Sequence, residues 1–373
     1  MIITIDCAVL SKAVSHVRSV TGDGKTSAVL ANVLLEAADG MLRITATDMS
    51  IQIEEQVACE IEEAGETTVS AQRLHDALRY LPPGAPCTLK LTDSDPRMEL
   101  KCARSRFQLP TISARVFPKM TPDQVVATGE LDADGLTRLF DTTAFAADTD
   151  STRAHLCGVF LHTVEVDGDA FMRAVATNGH RLALTQMEAP EGFAYPDGLI
   201  LPSKTVAEVR KLIDAAGETV EVSFSPTKVV FNLGPCVLIS KVISGSYVEY
   251  WKVIPADSPH HVSCETDLLT GALKRAMVVS TEKSRSVALE ITGGKMTFLA
   301  RDMEAGEARE ELDADLIGDA INVRFNASYL LDATGRIGGE HAHLHYSTAK
   351  APFLITDPAD RHAQFVLVPQ FGN

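Results

Sequence analysis

The stretches MLRITATDMS (41–50), FMRAVATNGH (171–180) and KMTFLARDME (295–304) repeat one pattern, an alternating strand that runs into a turn, at offsets of 130 and 124 residues. Just upstream of each lies another strand: ANVLLEAADG (31–40), GVFLHTVEVDGD (158–169) and SVALEITGGK (286–295). Each of these ends in the Asp and Gly chemistry of a tight hairpin turn. Three β-hairpins therefore recur at domain-sized intervals, far beyond the period of solenoid repeats.

Helices are predicted on both sides of each hairpin. Before it come 8–20, 132–147 and 265–280, with Leu10, Val14 and Val17, then Leu136, Leu139 and Phe140, then Leu269, Ala272 and Ala276 at helical spacing. After it come 70–81, 203–215 and 326–337, opened by the cap-competent Ser70, Ser203 and Asn326. Pro, Asp and Ser accumulate near 118–130 and 254–261, so the expected units are 1–124, 125–255 and 256–373. Two helices per unit on a mainly antiparallel sheet give an α+β class.

Of the 373 residues, 45% are hydrophobic and 23% charged, which excludes a disordered or collagenous chain. No apolar run approaches the ~18 residues of a membrane-spanning helix, and the first charge is Asp6 rather than a basic cluster. The expected location is the cytoplasm, with no membrane partner. Seven cysteines, Cys7, Cys59, Cys87, Cys102, Cys157, Cys236 and Cys264, form no CxxC pair and read as buried thiols.

The net charge of −16 argues against holding nucleic acid by bulk attraction. It is unevenly spread: the six helical spans carry eleven basic and nine acidic residues, so the remainder holds −18. Near-neutral helices on an acidic body suit helices that face a polyanion and sheets that face solvent. The cluster GDGKTS (22–27) lacks the two glycines five residues apart of a phosphate-binding P-loop.

RAVATNGHRLAL (173–184) resembles the T-[DN]-G-H-R-L segment of the bacterial DNA polymerase III beta subunit family, the replicative sliding clamps. DGMLRITATD (39–48), RSRFQLPT (104–111), ISKVISGSYVEYWKVIP (239–255), FNASYLLD (325–332) and FVLVP (365–369) extend the resemblance in order over the whole chain. It implies three similar clamp domains per chain and two chains closed head to tail into a six-domain ring around duplex DNA. The implied protein is a non-catalytic processivity factor without a cofactor. Its implied partners are the replicative polymerase, the clamp loader and repair proteins, held through short peptides.

Carried over residue by residue, the resemblance implies a peptide pocket of Leu156, Thr177, Gly179, His180, Arg181, Leu182, Val253, Val366, Val368 and Pro369. Val248 and Lys252 stand where the family commonly has Pro and Arg, and the tail VPQFGN (368–373) brings Gln370 and Phe371 to one wall. The chemistry suits a peptide: Gly179 permits a tight turn, the aliphatic residues supply walls, and Arg181 can orient a carbonyl or carboxylate. DNA contact is expected at Lys25, Arg73, Arg153 and His155, and ring closure at Phe107 and Leu109 against Val278 and Val279.

Only HAHLH (341–345) looks like metal chemistry, since His341, His343 and His345 share one face of a strand. An alternating His row on a solvated face needs no metal, and none is expected. Two rivals remain: a metal-dependent enzyme built on that row, and a diverged clamp paralogue with exchanged partners. No nucleophile elbow accompanies His180, so catalysis there is not indicated.

Overall fold

The turn chemistry of the three hairpins is met by the backbone. The computed structural model describes residues 1–25, 27–91, 96–191, 193–195, 197–279 and 285–370. The strands Asn32–Ala38 and Met41–Thr47 join through Asp39 and Gly40, at φ 55° and 75°. Asp167 and Gly168 (55° and 92°) and Gly293 and Gly294 (52° and 85°) occupy the equivalent turns. Left-handed backbone at both central positions matches the right-handed twist of the flanking strands, and Asp-Gly and Gly-Gly adopt it at low cost.

Six α-helices form among the described residues: α1 Cys7–Arg18, α2 Ala71–Arg79, α3 Ala133–Thr143, α4 Ser203–Leu212, α5 Thr266–Ala276 and α6 Ala327–Thr334. Asp6 caps α1 by accepting from the backbone N–H groups of Ala8 and Val9; Ser70 and Asn326 cap α2 and α6 in the same way. Ser203 does not act as the expected cap. It is the first residue of α4, and its hydroxyl donates to the Cys157 carbonyl at 3.0 Å. The 3₁₀ turns Ala144–Ala146, Ile213–Ala215 and Met277–Val279 extend α3, α4 and α5, so apolar spacing carries the predicted spans past the true α-helical ends.

The strands build antiparallel sheets of thirteen, nine and four strands among the described residues. Two seams matter most. In the thirteen-stranded sheet Ile51–Ala58, which follows the first hairpin, pairs with Cys236–Lys241. In the nine-stranded sheet Arg181–Glu188, which follows the second hairpin, pairs with Asp360–Leu367. The strand after the third hairpin, Gly306–Asp313, is an edge of the four-stranded sheet.

Packing divides the chain into two compact units. One comprises Met1–Thr137, Pro190–Phe193 and Lys204–Val242; the other comprises Arg138–Ala189, Ala194–Ser203 and Ile243–Asn373. Residues of the second repeat are therefore shared between two cores, because its strands pair with distant segments at both seams. Ile3, Leu10, Leu34, Phe224 and Phe231 anchor the first core, and Phe298, Phe325, Tyr346, Phe353 and Phe365 the second. Removing such side chains from water is the main stabilising term.

Among the cysteines, Cys59 and Cys157 are only half-buried, unlike the other five. Cys7, Cys87 and Cys102, scattered in sequence, converge because Cys87 and Cys102 face each other across adjacent strands. No helix among the described residues is long and apolar enough to cross a membrane.

Candidate partner-peptide cleft

The second hairpin ends in a corner whose polar side chains are consumed in holding its shape. Thr177 Oγ1 donates to the Arg181 carbonyl at 2.6 Å and accepts from Gly179 N–H at 3.1 Å. Asn178 Oδ1 accepts from the N–H groups of His180 and Arg181, and Gly179 turns through φ 85°. A Cβ added there would meet only Arg153 Nη1, at 3.5 Å, so glycine is favoured by the left-handed backbone rather than by space.

Beyond this corner Arg181–Glu188 enters its seam, with Leu182 opposite Val366. Val175, Leu182, Leu184, Tyr250 and Val366 form a buried cluster, against which Phe160, Tyr247, Ile254 and Leu354 pack. Tyr250 anchors the segment 247–254 against it. Arg173 Nη1 donates to Tyr250 Oη at 3.3 Å, and His162 Nε2 lies 3.0 Å from the same oxygen. Burial, helped by the Arg173 charge, lowers the His162 pKa to about 4, so the ring bonded to the tyrosine hydroxyl is neutral. The floor is thus apolar, with His162, Tyr250 and the Arg173 guanidinium joined by hydrogen bonds beneath it.

Above the floor opens a cleft of about 240 Å³, lined by Leu156, Thr177, Gly179, Arg181, Leu182, Val248, Glu249, Tyr250, Val253, Val366 and Val368. Val248, Val253 and Val368 are exposed although large and apolar. Such side chains gathered at one mouth mark a surface that a partner covers. His180, Val368, Pro369 and Gln370 line a second groove together with Arg324 and Tyr329. Val368 borders both, so the two grooves run into each other.

Three family models match the chain, described as the N-terminal, central and C-terminal domains of the DNA polymerase III beta subunit, over residues 1–121, 130–249 and 251–370. The chain belongs to the DNA polymerase III beta subunit family. It is 42% identical to the Caulobacter vibrioides beta sliding clamp, covering 99% of both chains, and 31% identical to that of Escherichia coli K12, covering 98% of both. A Caulobacter crescentus beta sliding clamp with bound polyethylene glycol superposes with a TM-score of 0.97 at 41% identity, covering 100% of this chain and 99% of that one. The Bartonella birtlesii DNA polymerase III subunit beta, bound to griselimycin, gives 0.95 at 33% identity and complete coverage of both. These likenesses do not favour a metal-dependent enzyme.

In this chain Leu156, Thr177, Gly179, Arg181, Leu182, Val248, Val253, Val366 and Val368 stand together on the cleft, while His180 and Pro369 stand on the adjoining groove. Lys252 is not on a wall; its ammonium pairs with Glu249 at 2.6 Å. Phe371 lies outside the described residues. Arg181 differs most from expectation. Its guanidinium donates to Asp332 and to the Phe145 carbonyl and stacks on the Tyr329 and Phe145 rings, 4.4 and 5.1 Å from their centroids. A guanidinium so engaged braces the wall and has little left to orient a peptide.

Of the expected DNA contacts, Lys25 is highly exposed, 3.7 Å from Asp23, and Arg73 is exposed on α2. Arg153 is committed locally, paired with Asp148 at 2.6 Å and donating to the Asn178 carbonyl at 3.1 Å, which props the 177–181 corner. His155 is half-buried in the same 3₁₀ segment, Ser151–Leu156. Phe107 is half-buried, Leu109 buried, Val278 highly exposed and Val279 half-buried. Glu249 and Tyr250 line the cleft, although of the motif 239–255 only Val248, Lys252 and Val253 were expected there. The available signal was aromatic density, since Tyr247, Tyr250 and the chain's single Trp251 fall within five residues.

Proposed function

We propose that two copies of this chain close head to tail around duplex DNA and that the cleft beside the 177–181 corner receives short peptides from the replicative polymerase, the clamp loader and repair proteins. The protein is a non-catalytic clamp. The carrying observation is an apolar cleft with an exposed aliphatic rim in a chain that matches beta sliding clamps from end to end. A clamp raises the local concentration of polymerase at the primer end by making re-encounter intramolecular. We assign three clamp domains, 1–124, 125–255 and 256–373, and a cytoplasmic location.

Ring closure follows the repeat logic. The strands after the first and second hairpins each pair with a strand of the following repeat. By the same rule Gly306–Asp313 pairs with Ser105–Ile112 of a second copy. That strand is bound on one side by Arg97–Cys102 and on the other only at Thr111 and Ile112, which leaves an open edge near Phe107. Arg104 and Arg106 on one edge meet Glu307, Glu310 and Glu311 on the other, and Phe107 and Leu109 meet Val278 and Val279.

A ring needs only weak phosphate contacts, for which Lys25 and Arg73 are assigned, with Arg153 and His155 lesser contributors. Retention on DNA decides the matter. The loaded protein should stay on a nicked circle and leave once the circle is linearised, and its binding to a short duplex should fade with salt. Tight, salt-resistant binding to a short linear duplex would refute encirclement.

A further inference from the structure

The HAHLH row gains a fourth histidine from a strand about eighty residues away. His260–Glu265 pairs antiparallel with His341–Tyr346, which sets His261 directly opposite His345. The rings of His261, His343 and His345 form a triangle with centroid separations of 5.7, 5.8 and 6.0 Å. Ala342, Leu344 and Tyr346 point to the core, so the triangle lies on the opposite sheet face, where all three histidines are half-buried and reachable by solvent.

We propose that His261, His343 and His345 form a binding site for one divalent transition-metal ion of the zinc class, held through three imidazole nitrogens with the fourth position open to water. Three imidazoles around a tetrahedral ion at Zn–N distances of about 2.0–2.1 Å place their ring centres about 5 Å apart. The rings stand farther apart than that, so binding an ion requires them to rotate inward on the fixed strands. Two ligands at i and i+2 on one strand and a third on its neighbour converge without any loop having to order, which favours binding.

The surroundings supply what a metal site needs. His345 Nε2 lies 2.9 Å from Thr356 Oγ1, which fixes the ring and leaves Nδ1 as its ligand atom. The nearby Asp357 carboxylate is occupied, accepting from the Gly338, Gly339 and Ala359 N–H groups. The other ionisable groups of these strands that border the site are His341 and Glu265, paired across the ladder, and Asp315, opposite Ser263. The bound ion would staple the two strands, a linkage that raises stability with ion concentration.

Titration of the full-length protein with zinc chloride at pH 7.5, followed by calorimetry and thermal melts, tests this. One ion per chain should bind with micromolar affinity or better and raise the melting temperature. His261→Asn and His343→Gln should each weaken binding on the order of a hundredfold. Both residues are half-exposed, and circular dichroism checks the fold. Cobalt in place of zinc should give a tetrahedral spectrum without the thiolate charge-transfer band. Zinc binding unchanged in both variants, a thiolate band that assigns the ion to Cys7, Cys87 and Cys102 or to Cys236, or no saturable binding by wild type would each overturn the proposal.

Discussion

The corners after the first and second hairpins are built alike and used differently. In the first, Thr47 Oγ1 donates to the Ile51 carbonyl and accepts from Met49 N–H, while Asp48 Oδ1 accepts from Ser50 and Ile51 N–H. In the second, Thr177, Asn178, Gly179 and Arg181 repeat every one of these bonds. The middle residue is left-handed in both, at φ 72° for Met49 and 85° for Gly179. Past the turn the two diverge. The first corner is clamped by an ion pair of Asp48 with Lys204 at 2.6 Å, and Ile51 enters its seam fully buried. The second has the uncharged Asn178 in the place of Asp48 and Arg181 in that of Ile51, leaning on Tyr329 rather than filling the seam, and a cleft opens beside it.

Function in this chain therefore resides in side chains placed on a repeated scaffold, not in the scaffold. Burial alone would raise the Asp48 carboxyl, yet Lys204 and the Ile51 and Ser50 N–H groups outweigh it and hold the pKa below the usual range. Asn178 keeps the same backbone bonds without a charge and adds one from its amide to Tyr329 Oη at 3.2 Å. The turn of the second corner is therefore uncharged, and the charge beside the cleft is that of Arg181, held by Asp332.

The third corner extends the comparison. Asp302 Oδ1 accepts from Glu304 and Ala305 N–H, and the next strand, Gly306–Asp313, has an open edge among the described residues. The largest expected effect of any substitution is here. Val278→Glu with Val279→Glu should place two charges in the apolar contact proposed to close the ring and yield folded monomers by light scattering. A dimer that survives both changes places the interface elsewhere.

A middle-sized effect is expected at Arg181. Arg181→Met should cost about 2–4 kcal/mol, because it strips Asp332 and the Phe145 carbonyl of a partly buried charged donor. Arg181→Lys should recover little, since an ammonium cannot bond in two directions while stacking on two rings. Full recovery by lysine, read from denaturant melts, would show that charge alone holds the wall.

The smallest effect should separate the two middle residues. Gly179→Ala should destabilise by about 1 kcal/mol, while Met49→Gly relieves a left-handed methionine and should lie between neutral and about 1 kcal/mol stabilising. Equal and opposite shifts would make the corners interchangeable as scaffold. A large loss at Met49→Gly would reveal packing by that half-exposed side chain.

The hairpins and most helices were legible because their signals are local: Asp-Gly and Gly-Gly turns, cap residues and apolar spacing lie within about a dozen residues of the structure they specify. The seams were not. Ile51–Ala58 pairs with a strand some 180 residues later, and no period in the sequence encodes that choice, so packing into two units that share the second repeat could not be read from the repeats. The cleft was legible through the family motif around Thr177–Leu182, which located the aliphatic walls but misassigned the Arg181 guanidinium and missed Glu249 and Tyr250. His261 was missed because the row it joins lies about eighty residues away and only strand pairing brings the two together.

Peptide binding at the second corner tests the central claim most directly. The variant should carry serine at Val253 and Val368, which are exposed rim residues, rather than at Leu182 and Val366, whose buried side chains also hold the core. A labelled peptide with apolar and aromatic anchors should bind wild type at roughly micromolar affinity, since burying two or three such side chains gives several kcal/mol before ordering costs. The double variant should bind at least about tenfold more weakly while its melting temperature and dimerisation stay unchanged. Equal binding by the two proteins would contradict the account and move the partner site away from this cleft.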